Sequence, residues 1–222
     1  MQKVYYNLMP NRALALPAVL LFIAVTALKA QQPSSNPAPI PHDTHDNITV
    51  SAEPWTNPSQ YKQRFSKKSP MTGGVLAIHV SFKNESAQTV KVSLNAIRLT
   101  IDLGDSGRQE LRSLSADEVA DAVTKPGSKA PNSPRIPLPI PTTTKANHDK
   151  NWNEVQKAAQ SAALPGPIVP PHDTLQGLVY FDLRGQFDLV ESARLYVPEL
   201  SVLENNRSIL FFDIPLNGAS SP

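Results

Sequence analysis

The clearest pattern along the chain is a period of two. In residues 75–83, Leu76, Ile78, Val80 and Phe82 fall on one face, and Ala77, His79, Ser81 and Lys83 on the other. That alternation is what a half-buried strand requires. Residues 48–53 alternate as a short first strand. Residues 54–73 are polar and turn-rich, with Pro54, Pro58 and Pro70. Asn84-Glu85-Ser86-Ala87 reads as a turn. Across residues 89–102, Val90, Val92 and Leu94 alternate in one phase, and Ile97, Leu99 and Ile101 in the other. A one-residue slip turns every side chain over, so the spacing predicts a bulge or a sheet-switching bend at Asn95-Ala96. Gly104-Asp105-Ser106-Gly107 is a turn, and residues 109–114 form a returning strand.

The period then changes. Ser115-Ala116-Asp117-Glu118 is a capping box, with Glu118 three residues after Ser115, and predicts a short helix through Val123. Residues 125–147 carry Pro126, Pro131, Pro134, Pro137, Pro139 and Pro141. Alternate prolines favour an extended polyproline II path. Residues 151–163 read as a second helix with Trp152, Val155, Ala159 and Ala162 on one face. Prolines at 165–171 break it. Strands resume in residues 174–184, where Leu175, Val179, Phe181 and Leu183 share a face with Gly177 between them. Ala193, Leu195 and Val197 alternate next. After the turn signal Asn205-Asn206, residues 208–216 put Leu210, Phe212, Ile214 and Leu216 on one side.

About seven strands separated by turns, with a short helical, Pro-rich insertion, predict a mainly β chain. The natural arrangement is an immunoglobulin-like antiparallel β-sandwich. Two stretches carry a resemblance. Val80-Ser81-Phe82-Lys83-Asn84, a polar turn and a strand through Leu94 resemble a hairpin of bacterial exported immunoglobulin-like envelope domains. Pro170-Pro171-His172-Asp173-Thr174, followed by Gln176-Gly177-Leu178-Val179-Tyr180-Phe181-Asp182, is similar to their proline turn and Gly/Phe strand. The resemblance covers residues 48–103 and 165–217 and implies a fold, since that envelope family is uncharacterised. The domain is expected at 48–217, with the insertion at 115–171 and a flexible tail at 218–222.

The N-terminus changes the setting. Lys3 and Arg12 precede an apolar run at residues 13–28, and Ala27 and Ala30 follow. This is the pattern of a secretory signal peptide at 1–30. The run is shorter than the roughly twenty residues of a spanning helix, which makes a retained anchor the alternative. Residues 31–47 are Gln-, Pro-, Ser- and Asn-rich, and are expected to be a disordered tether. The whole chain carries a net charge of +2. Removing residues 1–30 takes the 21 basic residues to 18 against 19 acidic ones, a net charge of −1. That argues against nucleic acid as a partner. The chain has no cysteine, so an exported form is held by its core and not by disulfides.

Candidate chemistry is sparse. No P-loop, dinucleotide, G-x-S-x-G or H-E-x-x-H pattern occurs, and no cofactor is expected. His42-Asp43-Thr44-His45-Asp46 gathers metal-ligand types, but in an expected tether. The basic residues Lys62, Arg64, Lys67 and Lys68 surround Tyr61 and Phe65 as a solvated loop or edge. His79 faces away from the apolar stripe, toward solvent or an edge. Asp102, Asp105, Asp182 and Asp188 flank turns. Asn47, Asn84 and Asn206 match the glycan-acceptor pattern. Trp55 and Trp152 each suit two roles, a pin for a loop or helix or an anchor for a partner. The expected function is an exported, periplasmic or secreted, non-enzymatic domain. It binds an envelope or extracellular protein or plays a structural part there. The candidate partner surface is Pro134, Pro137, Pro139, Pro141 and Trp152. A ligand- or carbohydrate-binding sandwich is the alternative, and a carboxylate-based hydrolase the third reading.

Overall fold

A computed structural model describes residues 39–125 and 149–217. The expected signal peptide, the proline-rich segment and the C-terminal tail lie outside the described residues. Twelve strands and three α-helices occur among the described residues. The structure is mainly β, with three four-stranded antiparallel sheets.

The first sheet holds β1 (His42–His45), β2 (Ile48–Trp55), β3 (Val75–Asn84) and β8 (Thr174–Asp182), in the order β1-β2-β3-β8. The second holds β4 (Val90–Val92), β7 (Ile168–Val169), β10 (Leu200–Val202) and β11 (Ser208–Ile209), in the order β11-β10-β4-β7. The third holds β5 (Arg98–Asp102), β6 (Arg108–Arg112), β9 (Ala193–Val197) and β12 (Phe212–Pro215), in the order β12-β9-β5-β6. The second and third sheets are related. The chain runs from β4 to β5, from β9 to β10 and from β11 to β12, each time across a short break. At each break the inward phase changes. Val90 and Val92 give way to Leu99 and Ile101, Leu195 and Val197 to Leu200 and Val202, and Ile209 to Phe212 and Ile214. The slip expected at Asn95-Ala96 is therefore a change of sheet, with a 3₁₀ turn at Leu94–Ala96 between the two strands.

The inward residues of all three sheets form one apolar core. Leu76, Ile78, Val80 and Phe82 are fully buried there, as their alternation predicts. Phe82→Ala should cost about 3–5 kcal/mol in urea melts. Lys83→Ala should cost only about half a kcal/mol, because Lys83 is exposed and pairs with exposed Glu85. Equal losses would contradict the strand phase.

A second core covers the opposite face of the first sheet. Val75, Ala77, Leu178 and Tyr180 are buried against α2 (Ala116–Thr124) and α3 (Lys150–Ala162). Both helices begin as their sequences dictate. Ser115 Oγ accepts from the Glu118 backbone N–H, and Glu118 returns the bond to the Ser115 N–H. Asp149 Oδ1 accepts from the Trp152 N–H at 2.8 Å. Val119, Ala120 and Val123 meet Trp152, Val155, Ala159 and Ala162, and the small alanines let the helices pack closely. Tyr61, at the end of α1 (Pro58–Tyr61), closes this core from below with Phe65. Its hydroxyl donates to Trp55 O and accepts from the Ala77 N–H. Burial pushes its pKa up to about 12. Lys62, Arg64, Lys67 and Lys68 stay exposed, so the basic patch is solvated while its two aromatics are core.

Arg112 on β6 forks onto Glu118 and ties the third sheet to α2. The guanidinium holds the Glu118 carboxyl down to about 2. A folded-state value below the ordinary one gives stability that is present above the ordinary carboxylate pKa. It is lost as pH falls from about 4.5 toward about 2. Glu118→Gln keeps the capping box but not the charge. The stability gap between wild type and this variant should therefore close on acidification in urea melts. A gap that persists unchanged at low pH would contradict the assignment.

The two helices of the expected insertion at 115–171 complete the second core. Two expectations need correction. The tether does not reach residue 47, because β1 starts at His42 and pairs with β2 through His42↔Ser51 and His45↔Ile48. Residues 208–216 are not one strand, and Leu210 is exposed where Ile209 is buried.

Candidate functional site

Pro134, Pro137, Pro139 and Pro141 of the expected partner surface lie outside the described residues. Trp152 is the correction. It is 8% exposed, and its indole N–H donates to Asp121 Oδ1 at 2.9 Å. Trp152 pins α3 to α2 and offers no exposed ring for a partner.

The His/Asp cluster is also structural. Asp43 accepts from the Thr44 and Asp213 backbone N–H groups and lies 3.2 Å from His45 Nε2. The His45 ring sits 5.0 Å from Phe212, and Asp46 pairs with Arg207. The cluster fastens β1 against β12. Among the described residues no three His, Asp or Glu are grouped to hold a metal ion. The turn carboxylates behave likewise: Asp102 accepts from Gly104 N and Asp182 from Arg184 N. Asn84 is unsuited to carry a glycan in the folded domain, being 1% exposed and bonded through both ends of its amide.

The surface feature that stands out is the seam between the second and third sheets. There Leu210 and Phe211 are 65% and 50% exposed, because the break between β11 and β12 turns both outward. Phe211 packs on Tyr196, with ring centroids 5.6 Å apart. Tyr196 faces outward from β9, directly opposite Arg98 on β5 and Asp213 on β12. The Arg98 guanidinium donates to Asn95 O at 2.6 Å and Ile97 O at 2.9 Å. It is thereby fixed over the 3₁₀ turn. Arg98 also lines an open groove of about 550 Å³ with Lys91, Leu94, Ala96 and Pro167. Aromatic, aliphatic and cationic groups thus run together along one seam. A surface of this composition can dock a partner, and Arg98, already held by two carbonyls, loses little side-chain entropy in doing so.

Sequence reasoning recorded only the first of the three phase slips. The same signal sits at Pro198-Glu199 and at Leu210-Phe211, where apolar residues change from odd to even numbers or back. Reading all three together would have located the seam. The helix-covered face was also legible. Val75-Leu76-Ala77-Ile78 and Leu178-Val179-Tyr180-Phe181 are apolar at consecutive positions, which marks strands buried on both sides.

No helix among the described residues is long and apolar enough to cross a membrane. No protein-family model matches the chain, and no curated protein matches it. Among solved structures, it is similar to a functionally unknown protein from Listeria monocytogenes EGD-e. That match has 14% identity over 71% of this chain and 68% of the other, with a TM-score of 0.31.

Proposed function

We propose that the chain is an exported, non-enzymatic binding domain of immunoglobulin-like type that takes a protein partner on the seam. The observation that carries this reading is exposed Phe211 packed on half-buried Tyr196, beside the fixed Arg98. Tyr and Arg are among the residue types that supply most binding energy at protein interfaces. The strand neighbours support the immunoglobulin-like part. The run β2-β3-β8 follows the A-B-E order of such a sandwich, and β12-β9-β5 follows G-F-C. The signal-peptide pattern at residues 1–30 supports export. The partner then lies in the envelope or outside the cell.

A photo-crosslinking residue at position 211, in the full chain made by the producing cell, tests the surface. The expected result is a defined protein adduct at 211 and none at Lys157, an exposed position on α3. An adduct at 157 with none at 211 would overturn the assignment of the seam.

A further inference from the structure

A second site lies on the opposite side of the first sheet. Trp55 ends β2, His79 stands on β3 and Gln176 on β8, and Arg64 follows α1. With Ser161 of α3 they line a groove of about 210 Å³. His79 was expected to meet solvent or a sheet edge. It instead sits half-buried on a central strand, at the floor of this groove.

Four of the polar groups around the groove are uncommitted. Among the described residues the side chains of Arg64, His79, Gln176 and Trp55 make no hydrogen bond or ion pair. Arg98, Arg112, Arg194 and Asn84, by contrast, are each held by side-chain hydrogen bonds. Four potential donors therefore share one concavity. Glu53 stands opposite His79 in register on the neighbouring strand. It already accepts from Gln60 Nε2 at 3.2 Å and does not line the groove. A donor-rich wall selects an acceptor-rich ligand, and a guanidinium matches a carboxylate in shape as well as charge. Trp55 is held edge-on by Tyr61, with centroids 5.4 Å apart and an interplanar angle of 83°. Its partly exposed indole gives the groove one flat apolar wall. The volume is below that of sites for drug-sized ligands, which suits a single ring with its substituents.

We infer that this groove binds a small ring-bearing carboxylate, with Arg64 and His79 on the acid group and the Trp55 indole against the ring. Two sources share that chemistry, an aromatic acid and a sugar acid. The test uses the full mature chain, with benzoate and glucuronate as probes and benzyl alcohol and glucose as their neutral counterparts. The indole N–H signals of the two tryptophans are followed by NMR. Trp152, already bonded to Asp121, is the internal reference. At millimolar probe the Trp55 signal should move with at least one acid, and the Trp152 signal should not. The acid that moves it identifies the source. Arg64→Gln, at an exposed position, should weaken that binding by about tenfold or more, and His79→Gln should weaken it as well. The inference is overturned if neither acid shifts Trp55, if a neutral counterpart binds as tightly as its acid, or if Arg64→Gln binds unchanged.

Discussion

Gly177→Ala is expected to destabilise the domain by about 3 kcal/mol or more, although the change adds one methyl group. A Cβ at Gly177 would lie 2.6 Å from Leu164 N and 2.7 Å from both Ala163 C and O. All three are backbone atoms, so no side chain can swing aside. The chain leaving α3 runs against β8 at this point, with an isolated parallel bridge from Ala163 to Leu178. Room for a methyl group comes only from prising the end of α3 off the sheet. That opens the second core at Ala162, Leu178 and Tyr180. Tyr180 would feel it directly, because its hydroxyl donates to Ala159 O at 3.0 Å. Gly166→Ala is the matched control. Nothing lies within 4 Å of its added methyl and its backbone is ordinary. Its stability should stay level or rise by up to about 1 kcal/mol. Urea melts of the two variants check both statements. Equal behaviour would mean that α3 does not press on β8.

Asn84→Ala is expected to cost about 3–5 kcal/mol, far more than its place in a polar turn suggests. Its Nδ2 donates to Gln88 O at 2.8 Å, Val169 O at 3.2 Å and Pro170 O at 2.9 Å. Its Oδ1 accepts from Ser86 N at 3.0 Å and Ser86 Oγ at 2.7 Å. One buried amide therefore closes the turn after β3 and fixes the start of the chain that enters β8. Alanine leaves three carbonyls and one N–H without their partner, the Val169 carbonyl among them in a buried position. Asn84→Asp should be no better, since it sets a second oxygen against carbonyl oxygens. Ser86→Ala removes one contact to the Asn84 amide and two longer, 3.3 Å bonds between the Ser86 hydroxyl and the Gln88 backbone, all part-buried, and should cost only about 1–2 kcal/mol. If Asn84→Ala and Ser86→Ala cost the same in urea melts, the amide does not hold the turn.

The amount of structure legible in the sequence depended on how local its cause was. The alternation in β3 and the capping box at Ser115 are written in neighbouring residues, and both appear as read. The four apolar residues of α3 share a face, as their spacing requires. What they face was not legible, because it depends on a sheet surface formed by distant segments. Trp152 therefore suited a partner as well as a core. Strands β1, β7 and β10 were missed for a related reason. Each is short, and pairing with a remote strand decides its state more than its own composition does. The polar run His42-Asp43-Thr44-His45 becomes a strand only because β2 offers it an open edge. Leu210 was placed inward by extending one alternation across a break that the backbone does not respect. That same break exposes the aromatic platform, so the misread position and the proposed surface have one cause.

The proposed division of labour puts binding on the seam and leaves the helices to the core. Affinity for the partner trapped at position 211 tests it most directly, measured for three proteins side by side. They are the wild type, Tyr196→Ser/Phe211→Ser, and a chain whose residues 126–148 are replaced by a short Gly/Ser linker. The linker joins two helix ends that already approach through the Trp152–Asp121 hydrogen bond. The double substitution should lose about thirtyfold or more, the effect of removing an interface hot spot. The linker variant should keep wild-type affinity, with both variants melting within about 1 kcal/mol of wild type. Unchanged affinity for the double substitution, with loss on replacing the proline segment, would contradict this division of labour.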